Sequence, residues 1–409
     1  MAERIAKRRS ILFISTANLT TNPRLVKELD LAIEEGFQCD VLLFDIKNWS
    51  QSIETVLRAE YKMVRFISIN AGRHPRIPWL VSSIIERFCK VLLRFGVRNA
   101  RVVSLSISKR SYLISSKLGK MGGNYDIVIG HNLGSLFPLY RYCHKNGIKG
   151  AFDLEDLHYG EIENSFFRDS ILSLFKVTFP SLQYISFASP LYQHALRSEK
   201  LLENISCVDI LNCFKSEEFA VPDTKMTDRI KLFWFSQNIN EGRGLESIID
   251  LMDQFSTEYE LHLLGNLDPE FGANYISGKL NVFVHNSLPQ SELHKIVGKF
   301  DVGLALEDSS RDENKDLCIS NKLFAYYQAG LFILASSTSG HKLFIEKVPE
   351  SGLIVSAGQL KATLKELLRR KSEIQMGKQV RKENATRFSW EKEKRKLSTI
   401  WRELLNFQN

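Results

Sequence analysis

Cysteine is sparse in this sequence and shows no functional spacing. The 409 residues include six cysteines, at positions 39, 89, 143, 207, 213 and 318, with no Cys-x-x-Cys pair. This scatter argues against a disulfide framework or a metal site and predicts a reduced, cytoplasmic chain. A run of about 18 apolar residues is also missing, and Met1–Arg9 leads into a strand without the apolar core of a signal peptide. We therefore expect neither a transmembrane helix nor a secretion signal.

A glycine-rich dinucleotide fingerprint is missing as well. The first predicted strand, 9–16, is not followed by Gly-x-Gly-x-x-Gly, which counts against a nicotinamide-binding Rossmann domain. Its nearly continuous apolar character is typical of a strand buried on both faces of a parallel sheet. Thr21 or Asn22 can cap a helix that begins at Pro23, and a second apolar strand follows at 39–46. Strand, helix and strand together predict a doubly wound parallel sheet.

The length of the chain and the order of its segments indicate two domains. Chains of about 400 residues commonly hold two domains of roughly 200 residues each. The polar segment 213–228 contains Pro222 and separates two series of predicted strands, so we interpret it as the interdomain linker. The first domain is then 1–212 and the second is 229–388, both of the α/β class.

Acidic residues are almost missing from the segment 65–120. It has twelve Lys and Arg residues against one acid, Glu86, whereas the whole chain has a net charge of +8. Apolar residues recur at helical spacing within 79–95. The cations of this helix share a separate face and are Arg87, Lys90 and Arg94. We predict contact with an anionic membrane surface. The alternative is a core-facing helix with a solvated basic side. Nucleic acid is not expected, because a reader fold and an aromatic stacking platform are missing.

Two predicted strands of the first domain end in chemically active side chains. The strand 125–132 carries His131 at its end, and the strand 150–156 ends in an acidic run that includes Glu155. Ligands of open α/β sheets bind outside the carboxyl ends of the strands, so we predict that His131 serves chemistry rather than packing. Glu155 is a candidate general base for a hydroxyl group. The alternatives are a satisfied loop histidine and a divalent-metal site in the acidic run.

The second domain has two segments suited to binding anions. The predicted strand 230–236 is followed by the loop 237–244 and a helix, and such a glycine-containing loop favours an anion at the helix start. Ser320 is expected to cap a short helix with Lys322 in its first turn. A cation there opposes the helix dipole, and the conflict eases when a phosphate docks beside it. The alternative is an ordinary αβ unit with an exposed lysine.

The segment Ser320–Gly330, which reads Ser-Asn-Lys-Leu-Phe-Ala-Tyr-Tyr-Gln-Ala-Gly, resembles the donor-nucleotide segment of GT-B glycosyltransferases. Glycosyltransferase family 4 and its relatives are the most similar. The loop 18–24, the strand ends at His131 and at 153–156, and the loop 237–244 resemble further family segments in the expected order. The resemblance implies a GT-B fold of class α/β, with two Rossmann-like doubly wound parallel-sheet domains that face a cleft.

The same resemblance implies an activity. The expected reaction moves a sugar from a nucleotide-sugar donor to a lipid-linked or polysaccharide acceptor, with retention of configuration and without a metal or cofactor. The C-terminal helix 389–409 is expected to complete the first domain. With the basic segment 65–120 facing lipid, the protein is expected to be peripheral at the inner face of the membrane.

The resemblance also assigns roles to individual residues. His131 is expected to hydrogen-bond the transferred sugar, and Glu155 is expected to line the acceptor cleft. Arg243 can grip a pyrophosphate through its fork of donors. The residues expected to bind the donor are Asn18, Thr20, Thr21, Gln237, Arg243, Gly244, Asn286, Leu288, Ser320, Asn321 and Lys322.

Several positions depart from the family pattern. The family has two glutamates around the donor segment, and the corresponding residues are Leu317 and Ala325. The first of two customary cations falls near Gln237, and the family histidine of the acidic run is Glu155. A non-catalytic GT-B binding or regulatory protein is therefore one alternative. A sugar-nucleotide 2-epimerase, which shares the fold, is the other.

Overall fold

The chain divides into two compact units, each built on one parallel sheet. The computed structural model describes residues 9–160, 165–307, 312–356 and 358–405. The described residues up to Ile210, with those from Lys394 onward, form unit 1, and Leu211–Glu393 form unit 2. The prediction of two doubly wound α/β sheets is confirmed.

Unit 1 contains a seven-stranded sheet in the order β3-β2-β1-β4-β5-β6-β7, and its paired strands are parallel. The strands are β1 Ser10–Ser15, β2 Gln38–Asp45, β3 Arg65–Asn70, β4 Ile127–His131, β5 Lys149–Leu154, β6 Tyr184–Phe187 and β7 Ser206–Asp209. The helices are α1 Pro23–Glu34, α2 Gln51–Glu60, α3 Arg76–Arg94, α4 Ala100–Ile107, α5 Lys109–Leu118, α6 Leu133–Asn146, α7 Ser165–Thr178 and α8 Pro190–Ser198. The strand order reverses between β1 and β4, as in a Rossmann sheet.

Unit 2 contains a six-stranded parallel sheet in the order β10-β9-β8-β11-β12-β13. The strands are β8 Ile230–Ile239, β9 Tyr259–Leu267, β10 Val282–His285, β11 Val302–Ala305, β12 Phe332–Ser336 and β13 Gly352–Val355. The helices are α9 Glu246–Leu251, α10 Pro269–Phe271, α11 Gln290–Val297, α12 Glu313–Leu317, α13 Asn321–Gln328, α14 Ser339–Lys347, α15 Leu360–Arg369, α16 Lys371–Met376 and α17 Lys378–Asn384. The last helix, α18 Trp390–Leu404, begins in unit 2 and continues into unit 1. This order reverses between β8 and β11.

The central strands are buried on both faces because helices pack on each side of a doubly wound sheet. Four consecutive residues of β1, from Ile11 to Ile14, are 0% exposed. In unit 2 the neighbouring side chains Phe233 and Trp234 of β8 belong to different core clusters, one on each side of the sheet. Apolar residues at every position of a strand therefore mark the middle of both sheets.

Two sequence predictions for unit 2 differ from the structure. β8 continues to Ile239, past its predicted end at Ser236, because β9 also extends and pairs with it beyond a bulge. The predicted linker, 213–228, belongs to unit 2, where Cys213 and Phe219 are buried in the core. Its polar composition reflects solvent-facing turns between these apolar side chains.

The basic segment 65–120 forms β3 and three helices, although the sequence analysis predicts only one of them. α3 buries Ser82, Cys89 and Leu93, whereas the opposite side of the helix is exposed. The exposed stripe of α3 consists of Ile77, Leu80, Ile84, Phe88, Val91 and Phe95. The alternative of a core-facing apolar side is therefore wrong for these residues. Within the described ranges, no helix is long and apolar enough to span a membrane.

The last turns of α18 lie in unit 1. Trp401 is 1% exposed, and its indole Nε1 donates a hydrogen bond to the Tyr184 hydroxyl at 2.8 Å. Its ring also packs edge-on against Phe37, with the ring centroids 5.8 Å apart. Arg402 forms an ion pair with Glu35 at 2.9 Å. A buried aromatic anchor and a surface ion pair thus hold this part of α18 in unit 1.

Candidate functional site

The first candidate site lies in unit 2, where the strand order reverses between β8 and β11. The loop after β8 contains Gly242 and Gly244, whose φ angles are +75° and +73°. A Cβ atom on Gly244 would lie 3.1 Å from Cβ of Leu306, which directly follows β11. Glycine adopts these positive φ angles without strain and permits this close approach. The loop therefore lies directly against the carboxyl end of β11, where ligands of such sheets bind.

Lys322 occupies the first turn of α13 at the same edge. Ser320 caps this helix as predicted, since its hydroxyl accepts the backbone N–H of Lys322 at 3.4 Å. The Lys322 side chain is 14% exposed, and its Nζ lies 3.4 Å from Oε1 of Glu307 and 4.9 Å from the centroid of the Trp234 ring. Burial lowers the pKa of Lys322, and the Glu307 carboxylate opposes that shift. The ammonium group is thus held inside the protein by a single carboxylate.

Arg243 is the second cation of this site. It is exposed, and its Nε donates to Oδ1 of Asn240 at 3.2 Å. Its charge is close enough to contribute to the lowered pKa of Lys322. We call Arg243, Gly244, Glu307 and Lys322 the Lys322 cluster. Two cations beside the start of a helix can neutralise a diphosphate, because the backbone N–H groups add positive potential there.

Glu307 was not identified from the sequence. It follows β11 by two residues and is the carboxylate nearest to Lys322 among the described residues. The available signal was its position in the sequence, just after an apolar run that forms β11. Residues 308–311 lie outside the described residues.

Among the described residues, no side-chain hydrogen bond or ion pair joins the other predicted donor-binding residues of unit 2 to the Lys322 cluster. Gln237 is exposed and lies inside β8 rather than in the loop after it, because that strand is longer than predicted. Asn286 and Leu288 are exposed at the carboxyl end of β10, which lies three strands away from β11. Asn321 is exposed at the start of α13. All four lie at the carboxyl edge of the sheet, and their roles stay predictions.

The two positions that depart from the family pattern differ in environment. Ala325 is 0% exposed within the core of unit 2, so this side chain offers no group to a ligand. Leu317 is the last residue of α12 and is partly exposed. Neither position supplies a carboxylate to the Lys322 cluster.

The second candidate site is a buried charged network at the carboxyl ends of β4 and β5 in unit 1. Arg24 bonds both oxygens of Asp153, with Nε to Oδ2 at 2.7 Å and Nη2 to Oδ1 at 2.5 Å. His131 has one ring nitrogen 3.5 Å from Asp153 and the other 3.6 Å from Glu28. All four side chains are at most 3% exposed. We call Arg24, Glu28, His131 and Asp153 the His131 network.

The network holds His131 in its charged form. Burial alone lowers the pKa of His131, but the Glu28 and Asp153 carboxylates outweigh it and raise the pKa to about 9. Burial alone raises the pKa of Asp153, but Arg24 outweighs it and holds that pKa well below its usual range. The two carboxylates thus favour the imidazolium form of His131, while burial raises the pKa of Glu28 itself. The sequence predicts chemistry rather than packing for His131; the structure buries this side chain, at 1% exposure, and its chemical role stays a prediction.

Glu155 lies one residue beyond β5 and is partly exposed. Burial raises its pKa, Arg24 opposes the shift, and the nearby Asp153 and Asp156 carboxylates raise it further, to about 7. A carboxylate with this pKa can take a proton from a hydroxyl group near neutral pH and release it again. Glu155 is thus suited to the predicted role of general base, while the role itself stays a prediction.

Arg24 and Glu28 were missed by the sequence analysis. They are four residues apart on α1 and lie on the side of the helix that also carries the buried Leu25 and Leu29. Charged residues within an apolar helical stripe are rare unless they are paired. That spacing was the available signal, and it pointed to buried partners at the ends of the neighbouring strands.

Three members of the His131 network are close enough to share one metal ion. Glu28, His131 and Asp153 each place one ligand atom within 4.8 Å of the others. However, Arg24 already occupies both oxygens of Asp153, and a metal cation would sit beside its guanidinium group. The donor set fits an ion-pair network better than a metal site.

The predicted phosphate loop of unit 1 is held by its own hydrogen bonds. Asn18 is 1% exposed, and its side chain bonds Ser50 at 2.8 Å and the Thr21 hydroxyl at 2.6 Å. The Thr20 backbone N–H and hydroxyl both donate to Glu54 at 2.8 Å. The Asn18 side chain therefore shapes the loop instead of facing a ligand. The donor contacts predicted for Thr20 and Thr21 stay predictions.

A strained residue follows His131 directly. Asn132 has φ +66° and ψ 142°, a conformation that residues other than glycine rarely adopt. Its Oδ1 accepts a hydrogen bond from the Ser15 hydroxyl at 3.0 Å. Ser15 ends β1 and Asn132 follows β4, so this bond joins the two strands at the reversal point of the sheet. Such strain concentrates at functional sites.

Known proteins resemble the chain in fold. HepE from Anabaena, solved in complex with UDP, aligns with a TM-score of 0.65 at 13% identity over 96% of this chain and 100% of its own. The lipopolysaccharide outer core galactosyltransferase WaaB aligns with a TM-score of 0.62 at 13% identity over 96% of this chain and 98% of its own. The fold is that of the GT-B glycosyltransferases.

The same fold is found in a protein of different activity. A UDP-N-acetylglucosamine 2-epimerase aligns with a lower TM-score of 0.55, at 12% identity over 98% of this chain and 96% of its own. No protein-family model and no curated protein sequence matches the chain. The fold thus accommodates both activities, and the choice between them depends on the sites.

Proposed function

We propose that the protein is a glycosyltransferase that uses a nucleotide-sugar donor. The observation that carries the proposal is the Lys322 cluster, in which Arg243 and Lys322 lie at the reversal point of a GT-B sheet. The Lys322 side chain is 14% exposed, and its ammonium group is paired with one carboxylate, that of Glu307. A diphosphate can displace Glu307 from Lys322 because it carries two negative charges instead of one. HepE, which has this fold, has been solved with UDP and with UDP-glucose, and this supports a uridine nucleotide as the first donor to test.

The charged edge of unit 1 supports a role in the transfer step. Glu155, with a pKa of about 7, is the proposed base for the acceptor hydroxyl. His131 is buried, so we propose that it acts indirectly. Its charge would hold the carboxyl end of β4 in position through Glu28 and Asp153. Transfer without a metal belongs to this proposal, because Arg243 and Lys322 can stabilise the departing diphosphate. Retention of configuration is part of the proposal only through the resemblance to glycosyltransferase family 4.

A membrane-bound acceptor is supported by the exposed stripe of α3. Its six apolar side chains lie three or four residues apart and are 45–81% exposed. Arg87, Lys90 and Arg94 are exposed along the same helix. Apolar groups that enter the lipid boundary next to cations that meet anionic headgroups are the combination expected of an interfacial helix. We propose that unit 1 docks by α3 on an anionic membrane whose lipid-linked or glycan acceptor it serves.

Two other functions have specific support. The wholly buried Ala325 and the apolar Leu317 favour a non-catalytic GT-B protein, because neither supplies the family carboxylate. The 2-epimerase fold match favours an enzyme that changes the sugar without transferring it.

Incubation with UDP-glucose, GDP-glucose or ADP-glucose in the absence of an acceptor, followed by chromatography, separates the three functions. A transferase slowly releases nucleoside diphosphate and free glucose by transfer to water, and Arg243→Ala abolishes the release. An epimerised sugar nucleotide without release identifies an epimerase. Intact donor in every reaction favours the non-catalytic protein and overturns the proposal.

A further inference from the structure

We propose that unit 1 has a second binding site, for an acidic oligosaccharide, at the amino edge of its sheet. The site consists of two adjoining cavities of about 730 and 420 Å³, which we call the basic groove. Met121 lines both cavities, so they adjoin near the C-terminal end of α5. The proposal does not depend on the donor site or on the activity proposed above.

The basic groove is separated from the Glu155 edge by the length of the sheet. Its larger cavity is lined by Ser10, Gln38 and Arg65, which are the first residues of β1, β2 and β3. Glu155 and His131 lie at the opposite, carboxyl ends of the strands. A strand of six residues spans about 20 Å. A ligand in the groove therefore does not compete directly with a substrate at the carboxyl edge.

The groove has a surplus of unpaired positive charge. Four exposed cations line it, and none of them forms an ion pair with any described residue. They are Lys117, Lys120, Arg141 and Lys145. The single acid in the lining, Asp40, is 4% exposed and is already engaged by Arg65 and the Tyr125 hydroxyl. Unpaired cations in a concave surface attract an anionic ligand, since the surrounding protein focuses their field.

The neutral part of the lining favours a sugar. The exposed amides of Gln38 and Asn124 offer both donors and acceptors of the kind that pair with hydroxyl groups, whereas the Ser10 hydroxyl already donates to the Asn124 carbonyl at 3.1 Å. The volume of the larger cavity lies within the range of small-molecule sites. A nucleic-acid strand instead requires successive aromatic platforms, but the Tyr142 ring is only 5% exposed and the Tyr140 ring packs against Phe137 and His144. Positive charge together with hydroxyl-binding groups indicates a carboxylated or phosphorylated oligosaccharide.

Isothermal titration of the full chain with tetragalacturonate, which has four carboxylates, tests the proposal. The groove variant is K117E/K120E. The control is K361E/K365E on α15 of unit 2, where both lysines are exposed and the change in net charge is identical. We expect wild type and the control to bind alike and the groove variant to bind at least tenfold more weakly. Neutral maltotetraose should bind at least tenfold more weakly than tetragalacturonate to wild type.

Additional measurements keep the result specific to the groove. Lys322→Ala should leave tetragalacturonate binding unchanged, because that residue belongs to unit 2. A hexathymidylate probe should bind more weakly than tetragalacturonate. The proposal is overturned if wild type shows no binding at millimolar tetragalacturonate, if the control loses as much affinity as the groove variant, or if hexathymidylate binds more tightly. Loss of tetragalacturonate binding in Lys322→Ala also overturns it, because the ligand would then occupy the Lys322 cluster.

Discussion

Lys322 is a cation whose charge is only partly satisfied. Its Nζ has one carboxylate partner, Glu307 at 3.4 Å, and the face of the Trp234 ring at 4.9 Å. An ammonium group has three donors, and the side chain is 14% exposed. A bound diphosphate could therefore accept hydrogen bonds from the Lys322 ammonium group, but it would compete with the Glu307 carboxylate. The Glu307 carboxylate and a bound phosphate should therefore compete for the Lys322 ammonium group, and this competition should be visible in the affinity for UDP.

Glu307→Gln should tighten UDP binding about three- to tenfold. The amide keeps the size of the side chain but removes a negative charge that repels the diphosphate and holds Lys322. Isothermal titration with UDP measures the change. The matched control is Glu366→Gln, an exposed acid on α15 that should leave the affinity unchanged. Weaker UDP binding by Glu307→Gln contradicts the competition described here.

Glu155 should give the reaction an acidic limb in its pH profile. Its pKa of about 7 makes it a base only above neutral pH, so donor turnover should rise with pH around a midpoint near 7. Glu155→Gln should lower turnover at least a hundredfold and remove this limb, with UDP affinity unchanged. Release of UDP from UDP-glucose, measured from pH 5 to 9, checks both statements. An unaltered profile in Glu155→Gln excludes Glu155 as the base.

His131 should stabilise the fold in a pH-dependent way. Its folded pKa of about 9 lies above the ordinary value of 6.5, so the stabilisation is fully present below pH 6.5 and is lost as the pH rises through 9. The stability difference between wild type and His131→Gln should therefore shrink by up to about 3 kcal/mol between pH 6 and pH 10. Denaturant unfolding at the two pH values measures it. A constant difference shows that the imidazole is not charged in the network.

At the scale of single residues, the sequence predicted where a residue lies within a strand or helix better than it predicted how deeply that residue is buried. It placed His131 at a strand end and Ser320 at a helix cap, because these depend on local spacing. It missed that His131 is buried, since burial depends on Arg24 and Glu28 arriving from another part of the chain. Contacts between distant segments leave no local pattern.

The exposed stripe of α3 is the clearest functional feature at the scale of an element. An amphipathic helix normally turns its apolar side to the core. In contrast, α3 buries Ser82, whereas Phe88, and Phe95 at its C-terminal end, are 60% and 81% exposed. Exposed apolar stripes of this kind mark interaction surfaces. Its companions α4 and α5 provide the buried packing of the segment, with Val103 and Ile114 at 0% exposure.

Ile84→Ser with Phe88→Ser should reduce binding to anionic vesicles at least tenfold. The double variant removes two apolar groups that are 56% and 60% exposed, without altering any charge. Cosedimentation with vesicles of phosphatidylglycerol and phosphatidylcholine measures the loss.

The control is Met376→Ser with Val380→Ser, which removes similarly exposed apolar groups from unit 2. This control should bind as wild type does. Equal binding by both variants and wild type excludes the stripe as the docking surface. If vesicle binding vanishes completely at high salt, it depends on charge alone, because salt does not screen the insertion of apolar side chains.

Most buried parallel strands were predictable, whereas one short strand and the end of the longest strand were not. β1, β2 and β4 were found within a few residues because buried parallel strands read as continuous apolar runs. β13 has four residues and was missed, since so short a run has no period of its own. β8 was predicted too short because its extension depends on pairing with β9 across a bulge.

At the scale of the whole molecule, the two units repeat one plan. In each parallel sheet the first strand lies in the middle, and the strand order reverses beside it. The candidate site of each unit lies near that reversal point. The sequence indicated this plan through successive βαβ patterns. It did not indicate that 213–228 belongs to unit 2, because the buried Cys213 and Phe219 are isolated among polar neighbours.

Charge is also divided between the two units. The segment 65–120 of unit 1 holds twelve of the 55 cations and only one acid. It supplies both the cations beside the exposed stripe and Lys117 and Lys120 of the basic groove. Unit 2 concentrates its functional charge in the Lys322 cluster. We therefore propose that unit 1 contacts lipid and glycan and that unit 2 contacts the nucleotide.

The central claim is that unit 2 binds a nucleoside diphosphate at the Lys322 cluster. A thermal-shift panel with UDP, GDP, ADP and CMP on wild type, Arg243→Ala and Lys361→Ala tests it most directly. Ligand at a hundred times its dissociation constant stabilises the folded state by about 2.7 kcal/mol. We expect a clear upward shift of the melting temperature with one diphosphate, kept in Lys361→Ala and lost in Arg243→Ala. No shift with any nucleotide, or a shift that survives in Arg243→Ala, would contradict it.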